Sequence, residues 1–149
     1  MCERMEQFER FTTAVTRAHK CIQKAKKAET ERMGLKGRQV MCLYYLGKSA
    51  GGLTAAELCQ LCHEDKAAIS RTLVDLTEMG LIAPCADPKR KYREKLTLTA
   101  QGREKDVQMR EAIERAVRGA SVGFGEAERA CFYRVFFTII DNLEKLYAP

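Results

Sequence analysis

The stretch that decides the fold is Thr54-Ala55-Ala56-Glu57-Leu58-Cys59-Gln60-Leu61-Cys62-His63-Glu64-Asp65-Lys66-Ala67-Ala68-Ile69-Ser70-Arg71-Thr72-Leu73-Val74-Asp75-Leu76. Thr54 stands where an N-cap accepts a backbone N–H and Glu57 follows three residues on, so a two-turn helix starts here. Its register puts Leu58, Leu61 and Cys62 on the core side and Cys59 nearer the surface. A turn at His63-Glu64 follows, and Asp65 is placed to cap a second helix. In that helix Ile69, Leu73 and Leu76 recur at spacings of four and three, so they face inward. The opposite face carries Ala67, Ser70, Arg71 and Val74. Small and hydrogen-bonding residues near a helix N-terminus let it lie against base edges in a DNA major groove, because nothing bulky holds it off. Two apolar runs, ending at Ile82 and beginning at Leu96, then flank the basic segment Asp87-Pro88-Lys89-Arg90-Lys91-Tyr92-Arg93 as a two-stranded hairpin. Helices followed by such a hairpin make a winged helix-turn-helix.

Several of these runs also carry a resemblance. Glu57-Leu58-Cys59-Gln60-Leu61, the Asp65-Lys66-x-x-x-Ser70-Arg71 register, Gly80-Leu81-Ile82, and Leu96-Thr97-Leu98-Thr99-Ala100-Gln101-Gly102 closely resemble the MarR (multiple antibiotic resistance regulator) family of bacterial transcription factors. The likeness covers nearly the whole chain. Departures stand at Ala67 and Ala68, where Ser or Thr is common, at His63, where Gly is common, and at Arg90-Lys91-Tyr92-Arg93, where Asp-x-Arg is common.

Composition agrees with a domain that meets a polyanion. The 149 residues are a single-domain length, and 46% hydrophobic content is enough for a core. Lys and Arg number 26 against 20 Asp and Glu, for a net charge of +6. From Arg10 to Arg38 nine basic residues face two acidic ones, and from Lys89 to Lys95 five face one, whereas the chain from Gln101 onward is balanced at eight each. The excess therefore lies on the first helix and the wing.

Both ends read as helices. Residues 3–31 carry Met5, Phe8, Val15, Ala18, Ile22 and Ala25 along one stripe. Lys36 to Leu46 makes a second helix with Val40, Leu43, Tyr44 and Leu46 inward. From Thr99 to about Arg118 runs a long charged helix. After a break at Gly119 to Gly125, residues from Glu126 to Leu146 bring Phe132, Val135, Phe136, Ile139, Ile140 and Leu143 onto one broad face. A winged core at about 36–98 leaves these stripes needing another surface. The resemblance implies that the terminal helices, about 3–31 and 99–146, interlock across a two-fold axis. The expected architecture is thus mainly α with a small β-hairpin, one domain over 1–149, and Phe8, Val15, Phe132, Phe136, Ile139 and Leu143 at a homodimer interface.

Other chemistry finds little support. Met1-Cys2-Glu3-Arg4-Met5-Glu6 lacks the pattern of a signal peptide, and no run is apolar enough for a membrane span, so a cytoplasmic location with reduced thiols is expected. Cys59-Gln60-Leu61-Cys62-His63 matches the C-x-x-C-H haem attachment pattern, but that attachment follows export, and helix register explains the same residues. Zinc lacks a fourth ligand, since His19 is distant in sequence; no metal or cofactor is expected. Thiol sensing is the alternative reading, through Cys21 beside Lys20 and Lys24, or through Cys59. No nucleophile, phosphate-binding or metalloprotease motif appears, so an enzyme is not expected.

These observations imply a homodimeric regulator, a repressor, on double-stranded DNA with an imperfect inverted repeat. Lys66, Ala67, Ala68, Ser70 and Arg71 are expected in the major groove. Arg90, Lys91 and Arg93 are expected at the adjacent minor groove or its phosphates, and Thr54 and Arg38 at the backbone. The resemblance adds a small aromatic ligand between winged domain and dimer helices, for which Tyr44, Tyr45 and Phe11 are candidates.

Overall fold

A computed structural model describes residues 2–85 and 94–148. The elements run α1 (Glu3–Met33), α2 (Gly37–Lys48), α3 (Ala55–Cys62), α4 (Lys66–Glu78), β1 (Ile82–Pro84), β2 (Leu96–Leu98), α5 (Ala100–Ala120) and α6 (Glu126–Tyr147). This is the mainly helical architecture with a small hairpin that the sequence predicts. The chain divides into two compact units, residues 1–112 and 113–149.

In the first unit the deepest part of the core gathers side chains from four elements. Cys42 and Leu43 of α2, Leu58 of α3, Ile69 and Leu76 of α4 and Ile82 of β1 are almost wholly buried, each apolar side chain contributing on the order of 1.5–3 kcal/mol. Local signals set the helix ends. Thr54 Oγ1 accepts from Glu57 N at 3.2 Å while Glu57 Oε2 accepts from Thr54 N at 2.8 Å, closing a reciprocal cap on α3. Asp65 Oδ1 accepts from Ala68 N at 2.7 Å and starts α4. Between them His63 turns the chain in the left-handed region, at φ 53°. Glycine adopts that conformation without cost; histidine tolerates it better than most residues.

The register of α3 corrects one expectation. Leu61 is 39% exposed, while Cys59 and Cys62 both pack against the core. The inward direction lies between Leu58 and Cys59, a row that Ala55 and Cys62 share, and Leu61 falls to the far side of Leu58. Cys59 is therefore no more a surface residue than Cys62.

The hairpin is antiparallel, pairing Ile82 with Leu98, Ala83 with Thr97 and Pro84 with Leu96. Leu53 adds a bridge that sequence reading missed, exchanging backbone hydrogen bonds of 3.0 and 2.8 Å with Leu96. It ties the wing to the residue before the α3 cap. A joint then connects α4, the wing and α5. Thr99 Oγ1 donates to Gly80 O at 2.6 Å and accepts from Gly102 N at 3.1 Å, and Thr99 N donates to Leu81 O at 3.0 Å. Gly102 lies so close that a Cβ there would stand 2.0 Å from the Leu81 carbonyl oxygen.

Further along α5, Lys105 Nζ donates to the carbonyl of Met33 at the end of α1, at 2.9 Å. Asp106, 9% exposed, lies over Gly47 of α2, where a Cβ would come within 2.6 Å of its carboxylate. The same carboxylate accepts from Arg110 Nε at 2.9 Å. Of the 31 residues of α1, however, only Met33 is buried. In the second unit α6 buries none of its 22 residues, and its aromatic rings stack along the helix, Phe132 on Phe136 at 5.4 Å and Tyr133 on Phe137 at 5.8 Å.

Two predictions follow from this packing. Gly102→Ala forces a methyl group against a backbone carbonyl and should lower stability by about 1–3 kcal/mol or more. Gly119→Ala, in the same helix but with open space around it, should raise stability by about 0.5 kcal/mol. Urea unfolding of both variants checks the contrast, and equal effects would refute the tight joint. The second concerns Cys42, whose thiol is pushed up to about 12 from an ordinary value near 9.0, chiefly by burial and then by the neighbouring Cys62 thiol. Burial also raises Cys62. In the native protein a thiol reagent should modify exposed Cys2, Cys21 and Cys131 first and reach Cys42 only on unfolding. Because the folded state holds the Cys42 proton more tightly, its contribution to stability is complete below 9.0 and is lost as pH rises toward about 12. The alkaline drop in unfolding midpoint should accordingly shrink in Cys42→Val.

Candidate nucleic-acid interface

The outward face of α4 is built by exclusion. Ala68, Ile69, Thr72, Leu73 and Leu76 are buried, which leaves Lys66, Ala67, Ser70, Arg71 and Val74 exposed along one side of the helix. Ala68, expected among the groove-facing residues, is 3% exposed and belongs to the core row, one turn before Thr72. A methyl group enclosed in that row cannot reach a base edge. Thr72 is held there too, its Oγ1 donating to Ala68 O at 2.9 Å. The remaining face is low near its N-terminus, with Ala67 and Ser70 flanked by Lys66 and Arg71. Arg71 is exposed on this face.

The other expected contacts are placed less uniformly. Thr54 caps α3, its hydroxyl oxygen occupied by Glu57 N while its O–H is left to donate. Arg38, in the first turn of α2, forms an ion pair with Glu64 at 3.2 Å, a partner that sequence reading missed because 26 residues separate the two. Arg90, Lys91 and Arg93 lie outside the described residues. Their flanks are nevertheless aligned, with Cys85 N donating to Lys95 O at 2.7 Å beyond the last strand pair.

The expected interface residues are largely uncovered within one chain. Phe8 is 53%, Val15 37% and Phe132 59% exposed, while Phe136, Ile139 and Leu143 are half-buried. Of the ligand candidates, Tyr44 and Tyr45 meet edge to face at 5.4 Å and pack against the core. Lys48 Nζ sits 5.2 Å and Arg110 Cζ 5.7 Å from the Tyr44 ring centroid, so two cations flank one aromatic face. Phe11 stacks with Phe8 at 6.0 Å. Cys21 is exposed on α1 and Cys59 is packed on α3. Among the described residues no group of three or more His, Cys, Asp or Glu is placed to hold a metal ion, and no helix is long and apolar enough to cross a membrane.

Comparison with known proteins follows the same lines. Residues 33–91, from the end of α1 into the wing, match the MarR family model. No curated protein matches the sequence. Among solved structures, the crystal structure of a MarR family transcription regulator superposes with a TM-score of 0.83 at 22% identity, covering 96% of this chain and 94% of that one. A Staphylococcus aureus MepR mutant bound to an oligodeoxyribonucleotide gives 0.61 at 18% identity, covering 91% and 97%. A Mycobacterium tuberculosis MarR family protein in complex with salicylic acid gives 0.63 at 21%, covering 85% and 93%. The chain thus matches the MarR family model over its winged core and shares the fold of a MarR family regulator nearly end to end.

Proposed function

We propose that the protein is a cytoplasmic, homodimeric, sequence-specific DNA-binding transcriptional regulator without enzymatic activity, and that it represses its target genes until a small aromatic ligand releases it. The observation that carries this reading is the exposed N-terminal face of α4, where Lys66, Ala67, Ser70 and Arg71 stand free of bulk on a helix fixed by the Asp65 cap. Such a face fits a major groove. Arg71 offers the bidentate geometry that recognises guanine, while the cationic wing residues Arg90, Lys91 and Arg93 act through phosphate charge, with Arg38 and Thr54 as lesser backbone contacts. The oligonucleotide held by the MepR mutant supports the assignment.

Dimerisation is inferred from what the single chain fails to bury. Long helices with an apolar stripe are stable in water only when the stripe is covered, and a single chain fully buries only Met33 of α1 and no residue of α6, whose Phe136, Ile139 and Leu143 are half covered. We assign the cover to a second copy, through Phe8, Val15, Phe132, Phe136, Ile139 and Leu143, so that residues 1–149 work as one domain within the dimer. Two recognition helices then call for an imperfect inverted repeat with half-sites about one helical turn, ~34 Å, apart. For the ligand, Tyr44 between Lys48 and Arg110 is the group we assign, a cationic and aromatic setting that suits an aromatic acid such as the salicylic acid held by one structural neighbour.

A gel shift on DNA flanking the protein's own gene, at several salt concentrations, tests the reading. Arg71→Ala should cost on the order of 1–3 kcal/mol on the specific site and much less on random DNA. A variant that keeps its full preference for the specific site would remove Arg71 from the reading face. For assembly, Phe136→Glu combined with Ile139→Glu should split or unfold the dimer, because two unpaired carboxylates would be buried at the interface. Sedimentation of a folded dimer carrying both changes would place the interface elsewhere.

A further inference from the structure

Arg38 and Glu64 meet in a geometry that arginine also offers to phosphate. Nε lies 3.2 Å from Oε1 and Nη2 3.3 Å from Oε2, a two-point grip of guanidinium on carboxylate. The place of this grip matters more than its strength. Glu64 precedes the α4 cap Asp65 by one residue and Lys66 by two, so the pair stands at the N-terminal end of the recognition helix, where the exposed face begins. Both side chains are partly open to solvent, at 43% and 34%, and an exposed pair of this kind contributes only about 0–1 kcal/mol to stability. Glu64 is also free of helix capping, since Asp65 alone supplies the side-chain oxygen that accepts from Ala68 N. Stability therefore does not account for an anion at the edge of a surface that must approach DNA.

We propose that Glu64 is a built-in competitor for the DNA backbone. In the free protein its carboxylate occupies the fork of Arg38, and in the complex a phosphate oxygen takes that fork while Glu64 is pushed aside. The exchange lowers affinity for every sequence alike, because a backbone contact carries no base information. Its value to a chain of net charge +6 is restraint: without it, charge alone would hold the protein on DNA more tightly than a releasable regulator can tolerate. This inference rests on the DNA-binding assignment.

The test uses fluorescence anisotropy with two duplexes, the flanking DNA of the gene and a random sequence of equal length, over a range of salt. Glu64→Gln should tighten binding to both by about three- to tenfold at low salt, and the gain should shrink as salt rises. The log–log salt slope should steepen, because only the wild type must first break the Arg38–Glu64 pair and that cost falls as salt rises. Adding Arg38→Ala to Glu64→Gln should abolish the gain. Glu78→Gln, which neutralises an exposed carboxylate at the other end of α4, should leave affinity and slope nearly unchanged. Melting curves of the variants should coincide with wild type. An unchanged or weaker Glu64→Gln, or a gain that survives Arg38→Ala, overturns the competitor role while wild-type binding keeps the DNA assignment. Failure of every form to bind either duplex overturns that assignment, and this inference with it.

Discussion

Gly102 packs against the carbonyl of Leu81 with no room for a side chain, and much of the structure depends on that contact. At that point α5 begins, the recognition helix has just ended and the first wing strand is about to start. Thr99 stitches the three together through Gly80, Leu81 and Gly102. A side chain at Gly102 would wedge the joint open. The contact joins the end of α4, the first wing strand and the start of α5 at one point, so a displacement of α5 there would be passed to α4 instead of being absorbed in a loop. Lys105 on Met33 and Asp106 over Gly47 extend the same coupling to the end of α1 and to α2.

Much of this was legible in the sequence because it is local. Thr54 with Glu57, and Asp65 before its helix, are caps that act within four residues, and both form as read. The rows Ile69, Leu73 and Leu76 are set by helix period alone. What escaped was non-local or a matter of degree. Ala68 is small enough to be read on either face, and only the packing of α4 assigns it to the core. Leu61 has the hydropathy of a core residue but the wrong angle, whereas Cys59 has the right one. The Leu53 bridge and the Arg38–Glu64 pair need the chain to have folded before their partners meet, so no short-range pattern signals them. The Gly47–Asp106 contact is likewise a fact of helix–helix approach.

The candidate interface shows a division of labour between shape and charge. Shape is confined to α4, where the inward row dictates which residues are left outside. Basic residues are concentrated in the sequence of the first helix and the wing, and Glu64 pairs with one of the cations, Arg38, at the start of α4. If DNA is the partner, as proposed, such an arrangement would separate recognition from retention, the first depending on a few side chains of α4 and the second on single charges that can change without disturbing the core.

The uncovered stripes of α1 and α6 have a consequence for the protein's life in a cell. In a single chain α1 fully buries only Met33 and α6 no residue, so in the proposed dimer these helices would be completed only on meeting another copy. Before that encounter those segments would fray and be open to proteolysis, and afterwards they would be shielded. Copy number then becomes a structural variable. At low abundance solitary chains of such a dimer would be degraded and above a threshold they would survive as pairs, so its dose response would be steepened by its own turnover.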